Sequence, residues 1–227
     1  MDEIKRIADK HNLFIVEDAA EAMGSLYKGR RAGSMGDIAT FSFHGTKTMT
    51  TGEGGALIIQ SDEVNRKARV LDNHGRDLRV LKQFWCETIG FKYRMCNVAA
   101  AIGVAQLERI DELVARKREV FGMYRDRLSD IPGLALNPEK PDTFNSYWMT
   151  TAIFPKGVGF SREKLMKQFA ENNIDARVFF YPLSLMPPFE DCPQNKVSLD
   201  IYERGMNLPC YHDIAEADID RVCSVLR

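Results

Sequence analysis

Residues 40–55 read TFSFHGTKTMTTGEGG, a strand-like run followed by a loop that ends in closely spaced glycines. The run predicts a strand that ends near Ser42, and the small residues after it place Lys47 just beyond the strand end. The three glycines at 52–55 allow tight turns and a close approach of the backbone to a ligand. A lysine shielded in such a pocket forms Schiff bases with carbonyl compounds. Most lysines are exposed, so an ordinary solvated loop lysine is the alternative at this point.

A second polar cluster follows an apolar run upstream. The sequence LFIV at residues 13–16 predicts a buried parallel strand, and Glu17 and Asp18 come directly after it. The carboxyl ends of such strands are where α/β sheets bind ligands. A carboxylate there needs a cation or several hydrogen-bond donors as partners, and a protonated pyridine nitrogen is one such cation. On spacing alone, Asp18 could equally cap the next helix or pair with a nearby arginine.

The remaining pattern predicts an α/β organisation in two parts. In the first part we expect a sheet that is small and has poorly protected edges. Its elements are helices over 2–10, 62–71 (capped by Ser61) and 97–113, strands over 38–43 and 55–60, and a loop or hairpin over 24–36. In the second part we expect helices over 115–128, 161–172 (capped by Ser161), 198–205 and 215–226, with strands over 147–154 and 176–181. We therefore predict domains at 1–115 and 116–227.

Composition excludes several classes of function. The formal net charge of −1 provides no basic field for nucleic acid or anionic membranes, and no apolar run is long enough to span a bilayer. The N-terminus does not resemble a signal peptide. The five cysteines are irregularly spaced, which favours free thiols in a cytoplasmic protein, and the four histidines lack the spacing of metal ligands. We expect a cytoplasmic protein that binds no metal.

Six motifs in a fixed order give these signals a common meaning. They are EDAA (17–20), SFH (42–44) with Lys47, GEGG (52–55), NHGR (73–76), YRMCN (93–97) and AIGVAQL (101–107). Together they resemble the DegT/DnrJ/EryC1/StrS family of sugar aminotransferases, and within it the GDP-perosamine synthase group. The resemblance implies an α/β fold of the fold type I class of pyridoxal 5'-phosphate enzymes, with a large domain followed by a small C-terminal α+β domain.

The resemblance also implies roles for individual residues around the cofactor. Lys47 forms the Schiff base with pyridoxal 5'-phosphate and is the catalytic residue, while Asp18 faces the pyridine nitrogen and keeps it protonated. Ser42 hydrogen-bonds the phosphate. Glu21 stands near the ring, where the family usually has glutamine. Lys92 stands where many members have an asparagine that reaches the phosphate of the neighbouring subunit's cofactor, and a lysine serves an anionic phosphate there as well.

The substrate assignments come from the same resemblance. His44, Arg177 and Tyr181 are the predicted substrate-binding residues, and for His44 support of the loop is the alternative to substrate binding; we do not expect it to act as the base. The implied reaction transfers an amino group from L-glutamate to a nucleotide-linked keto sugar resembling GDP-4-keto-6-deoxymannose, in a homodimer that makes cell-surface polysaccharide or antibiotic sugars. Two alternatives stay open: a non-catalytic fragment or dimerisation remnant of such an enzyme, and a pyridoxal-phosphate-dependent sugar dehydratase. Some of those dehydratases carry histidine at the position of Lys47.

The resemblance begins in the middle of the family's large domain. We therefore expect the chain to lack the N-terminal part, which supplies further strands, a phosphate-binding turn at a helix N-terminus and the aromatic residue that stacks on the ring. From this expectation we predict a partial large domain, and weak cofactor binding by the 227-residue chain alone.

Overall fold

A computed structural model describes residues 1–157 and 159–227 and divides them into two compact units. The first unit contains Met1–Leu113 with Pro141–Asn145, and the second contains Val114–Lys140 with Ser146–Arg227. The division predicted after residue 115 lies close to the first of these boundaries. It does not include the return of residues 141–145 to the first unit. Among the described residues, no helix combines the length and the apolar character needed to cross a membrane.

The first unit is built on a three-stranded sheet with the order β1-β4-β5. Strand β1 runs parallel to β4, and β4 runs antiparallel to β5. A second small sheet has the order β3-β2-β7. The elements of this unit are α1 (Asp2–His11), β1 (Val16–Asp18), β2 (Leu26–Tyr27), β3 (Arg30–Arg31), β4 (Ile38–Ser42), β5 (Gly55–Ile59), α2 (Asp62–Leu71), α3 (Asn97–Glu108) and β7 (Thr143–Phe144).

Local sequence signals explain several of these boundaries. The Ser61 hydroxyl accepts a hydrogen bond from the Val64 amide, which confirms the predicted cap of α2. Of the two possibilities for residues 24–36, the structure shows a hairpin of β2 and β3. Its two-residue turn requires positive φ at both positions, and Lys28 (φ 49) and Gly29 (φ 74) provide it. Strand β7 then pairs with β2 from a distant part of the sequence.

The predicted buried strand over 13–16 is wrong. The strand begins only at Val16, and Leu13, Phe14 and Val16 are exposed, Phe14 by 71%. Within the described chain β1 is an edge strand that pairs on one side only, with β4, so its apolar side chains have no second layer to cover them. The apolar run was a correct sign of a strand at its end, but an incorrect sign of burial.

The predicted helix over 97–113 is also divided. Helix α3 ends at Glu108, and α4 (Ile110–Leu128) begins two residues later, so the helix expected from 115 starts earlier. Arg109 between them leaves helical geometry, with φ −106 and ψ 12. Its guanidinium binds the Glu112 carboxylate in the first turn of α4, at 2.6 and 3.0 Å. The boundary between the two units falls inside α4.

The second unit packs helices on a four-stranded antiparallel sheet with the order β6-β8-β10-β9. Strand β10 (Gly205–Leu208) is central and wholly buried. The sequence pattern had predicted the end of a helix at residue 205 and a loop after it. The pattern missed this strand because its four residues, GMNL, are too few to show a period and include a polar asparagine. Besides most of α4, the elements are β6 (Ala135–Leu136), β8 (Thr150–Ile153), α5 (Arg162–Glu171), β9 (Arg177–Val178), a 3₁₀ turn (Leu183–Leu185), α6 (Lys196–Arg204), β10 (Gly205–Leu208) and α7 (Glu216–Leu226).

The hydrophobic core of the second unit joins α4, α5 and α7 to this sheet. Tyr124, Phe169, Met206 and Ile219 are fully buried at its centre. The Tyr124 hydroxyl donates to the Pro209 carbonyl at 2.7 Å, so its polar end is satisfied, and burial raises the pKa of Tyr124. Burial also raises the pKa of the Cys223 thiol, to about 11. The Ser161 hydroxyl accepts from the Lys164 amide, as predicted for the start of α5.

We expect Phe169→Ala to lower the free energy of unfolding by about 3–5 kcal/mol, because it opens a cavity in a fully buried site. Phe189→Ala is the matched control, since the same atoms are removed from an exposed site, and we expect a change within about 0.5 kcal/mol. Urea denaturation of both variants measures the difference. Equal losses would show that this core does not hold the second unit together.

Candidate active site

The parallel pair β1 and β4 brings two chain segments to one edge of the sheet. Asp18, the last residue of β1, is in register with Thr40, and β4 continues to Ser42. The Asp18 Oδ1 atom accepts from the Ala20 amide at 3.1 Å and from the Thr40 hydroxyl at 3.3 Å. Residues 19–25 form turns, so Asp18 does not cap a helix. Its carboxylate stands at the edge where α/β sheets bind ligands.

Lys47 reaches the segment that follows Asp18. Its side chain is only 15% exposed, and its Nζ atom donates to Glu21 Oε1 at 3.0 Å. Glu21 is half-exposed and lies three residues after Asp18. The alternative of an exposed loop lysine is therefore wrong. Two carboxylates and one amine occupy the turns that leave the same sheet edge, which is an arrangement suited to a ligand with both positive and negative groups.

The loop that carries Lys47 closes on itself through backbone hydrogen bonds. The Phe43 amide donates to Gly54 O, and the Phe43 carbonyl accepts from the Thr51 amide, both at 2.9 Å. Gly52 and Gly54 have φ values of 83° and 142°, which side chains rarely tolerate. The GEGG motif thus has a structural reason, since it lets β5 begin beside the end of β4 after a tight return.

Ser42 and His44 lie at the start of this loop. The Ser42 hydroxyl accepts from the His44 amide at 3.4 Å. The ring of His44 contacts Thr46 through Nδ1 at 3.0 Å and lies 3.6 Å from the Glu53 carboxylate through Nε2. The Lys47 amide in turn donates to the His44 carbonyl at 3.0 Å. Both residues are thus tied to the short segment that presents Lys47.

Glu17 has a structural role that was not predicted from the sequence. Its two carboxylate oxygens accept three backbone amides of the loop before β4, those of Gly33 (2.6 Å), Met35 (2.9 Å) and Gly36 (3.0 Å). Successive side chains of a strand point to opposite faces, so Glu17 and Asp18 cannot serve the same site. The sequence signals that could have revealed this role were the alternation of side chains along the strand and the glycines of the downstream loop, Gly33 and Gly36.

Comparison with known proteins now adds to this geometry. The model of the DegT/DnrJ/EryC1/StrS aminotransferase family matches residues 1–227. The chain belongs to this family. The GDP-perosamine synthase from Caulobacter vibrioides is 39% identical over 229 residues, which cover 100% of this chain and 61% of that protein. The chain therefore spans about three-fifths of the length of this relative.

Solved structures of the family share the fold. DesV from S. venezuelae, solved in complex with a ketimine intermediate, is 28% identical and superposes with a TM-score of 0.87, covering 100% of this chain and 60% of its own. The E. coli GDP-4-keto-6-deoxy-D-mannose-3-dehydratase, solved with bound hydrated pyridoxal phosphate, is 21% identical with a TM-score of 0.84, covering 100% of this chain and 63% of its own. The fold is the α/β fold of type I pyridoxal-phosphate transferases, with part of the large domain and the small C-terminal domain.

The other residues predicted from the family resemblance have separate surroundings. Lys92 forms an isolated bridge with Asn73, and its Nζ atom donates to the Arg94 carbonyl at 3.2 Å. Arg177 and Tyr181 belong to the second unit. Arg177 pairs with Asp175 at 2.8 Å, and the Tyr181 hydroxyl accepts from Arg162 at 3.3 Å. These contacts give no direct link to Lys47, so the roles of the three residues stay predictions.

We expect Glu17→Gln to lower the free energy of unfolding of the first unit by about 1.5–3 kcal/mol, because an amide offers one acceptor oxygen where the carboxylate offers two. The matched control is Glu63→Gln, which removes only an exposed pair with Lys67 and is expected to cost much less, because solvent screens that pair. Urea denaturation compares the two. If the losses are equal, Glu17 does not organise the loop over 33–36.

Proposed function

We propose that this chain carries the cofactor-binding lysine of a pyridoxal-5'-phosphate-dependent sugar aminotransferase. The proposed reaction moves an amino group from L-glutamate to a nucleotide-linked keto sugar resembling GDP-4-keto-6-deoxymannose. The observation that carries the proposal is the largely buried Lys47 amine, 3.0 Å from Glu21, beside the strand end that bears Asp18. The 39% identity to a GDP-perosamine synthase supports the choice of sugar.

The residues at this edge fit the cofactor chemically. Pyridoxal phosphate has a cationic pyridine nitrogen, an aldehyde and an anionic phosphate; when bound, it supplies an electrophilic carbon and a ring that withdraws electrons. The hydrogen bonds recorded for the Asp18 side chain are both on Oδ1, and its carboxylate is exposed at the sheet edge. Asp18 would hold a proton at the pyridine nitrogen. Ser42 Oγ, at the end of the neighbouring strand, would donate to the phosphate.

Lys47 performs the proton transfers in this proposal. Its amine would move a proton from the α-carbon of the amino donor to the aldehyde carbon of the cofactor, and in the second half of the reaction it would move a proton from that carbon to the sugar carbon that receives the amino group. A positioned amine in general acid–base catalysis contributes typically about 10²–10⁴-fold in rate. Glu21 keeps the amine near this place through the 3.0 Å contact and so acts as a positioning residue. His44, Arg177 and Tyr181 remain the proposed contacts to substrate.

An exposed apolar surface supports the homodimer that we propose. Helix α3 has no buried residue in the described chain, and Val98, Ile102, Val104 and Leu107 are all exposed on it. Large exposed apolar surfaces often mark sites of protein–protein contact, and in a homodimer a second copy of the chain would cover this one. Lys92 would then serve the cofactor phosphate of the partner subunit.

The dehydratase alternative has less support. The matching dehydratase structure is 21% identical, which is evidence of fold alone. Lys47 is the residue that transamination requires, and some dehydratases of the family carry histidine there. Analysis of the reaction products tests the non-catalytic alternative, because a non-catalytic chain leaves the sugar unchanged.

We propose to incubate the purified protein with pyridoxal phosphate, L-glutamate and GDP-4-keto-6-deoxymannose, and to analyse the sugar product by mass spectrometry. An amino sugar with equimolar 2-oxoglutarate supports the proposal. A deoxygenated sugar supports dehydration, and an unchanged sugar supports a non-catalytic chain.

We predict that Lys47→Ala abolishes the adduct formed when pyridoxal phosphate is added in excess and reduced with borohydride, as read by peptide mapping. Amination, where present, should fall at least about 10²-fold, because the proton-transferring amine is lost. Lys67→Ala is the matched control, since Lys67 is an exposed helix lysine paired with Glu63. A wild-type protein that is labelled at Lys67 but not at Lys47 would rule out the assigned cofactor lysine.

A further inference from the structure

The turn before Lys47 is organised by a single histidine through three separate bonds. The His44 carbonyl accepts from the Lys47 amide at 3.0 Å, which closes the turn over residues 44–47. The ring Nδ1 atom accepts from the Thr46 amide at 3.3 Å and lies 3.0 Å from the Thr46 hydroxyl. The His44 amide donates to Ser42 Oγ at 3.4 Å. One residue therefore links the strand end at Ser42 to the backbone of Lys47.

The Thr46 hydroxyl can serve either tautomer of the ring, and the contact with the Thr46 amide is the one that indicates which ring nitrogen carries the proton. A backbone amide can only donate a hydrogen bond, so Nδ1 must present its lone pair. In the neutral imidazole the proton is then on Nε2, the atom that lies 3.6 Å from Glu53 Oε1. We propose that His44, as the neutral Nε2–H tautomer, is a positioning residue that holds the turn presenting Lys47. The turn itself is independent of the proposed function, and only its consequence for the cofactor rests on that function.

The chain offers a substitution that separates shape from charge. The Oδ1 atom of asparagine lies near the position of Nδ1 and accepts a hydrogen bond, but it does not titrate. His44→Asn should therefore keep the turn, whereas His44→Ala should lose the bond to Thr46. His11→Asn is the matched control, because His11 is an exposed residue in the last turn of α1.

The first experiment is ¹⁵N NMR of the histidine rings in the wild-type protein, with the His44 signals assigned by their absence in His44→Asn. We expect the proton of the neutral His44 ring on Nε2. The His11→Asn variant should leave this feature unchanged. A neutral ring protonated on Nδ1 would overturn the inference. This experiment requires no cofactor.

The second experiment measures the rate at which Lys47 is labelled by pyridoxal phosphate with borohydride. At about pH 8 we expect wild type and His44→Asn to agree within about twofold, and His44→Ala to be slower by about fivefold, the equivalent of one lost hydrogen bond. Equal rates for all three proteins would contradict the positioning role. Absence of Lys47 labelling in every protein would instead count against the proposed function, and the ring tautomer would still decide the inference.

Discussion

Strands β1 and β4 run parallel with Asp18 opposite Thr40, so the segments that follow the two strands leave the sheet at the same edge. An antiparallel pairing would put the ends of the two strands at opposite edges, and Lys47 would then lie far from the turn after Asp18. Every other feature of the site depends on this direction. The Lys47–Glu21 contact joins the two turns that follow the strands, and the Asp18–Thr40 hydrogen bond joins the strand ends themselves.

Side chains alternate along strand β1, so its two acidic residues face opposite sides and have different partners. Glu17 points to one face and binds three amides of the loop over 33–36, which leads into β4. Asp18 points to the other face, where its Oδ1 atom accepts from the Ala20 amide and the Thr40 hydroxyl. Glu17 therefore stabilises the loop that leads into the strand carrying Ser42, and Asp18 lies on the face of the proposed site. Two adjacent carboxylates in EDAA have different physical roles, although the sequence presents them as one acidic pair.

The parts of this protein that could be predicted are those set by local chemistry. The caps at Ser61 and Ser161 and the strand before Lys47 follow from residue preferences within a few positions. The exposure of Phe14 could not be predicted, because it depends on which segments lie beside β1. Strand β10 was missed because its four residues become a strand only through pairing with β8 and β9. Support of the loop was one of the two roles expected for His44, but its particular bonds could not be predicted, because the sequence does not show which backbone groups the ring meets.

The partial exposure of Glu21 suits a lysine that must change partners. A carboxylate that is fully buried with an ammonium is costly to separate, by about 3–5 kcal/mol when one partner is withdrawn. Glu21 is 51% exposed, so water replaces the lysine readily, and the pair contributes only about 0–1 kcal/mol. The contact with Glu21 therefore holds the Lys47 amine near the sheet edge only weakly, so the amine can leave this carboxylate.

The backbone of Lys47 and its amine are held by different contacts. The turn closed by the His44 carbonyl sets the backbone. The loop therefore fixes where the lysine side chain starts, and the Glu21 carboxylate contributes to where its amine points. A lysine held in this way can leave the carboxylate for a ligand at the sheet edge while its backbone stays in place.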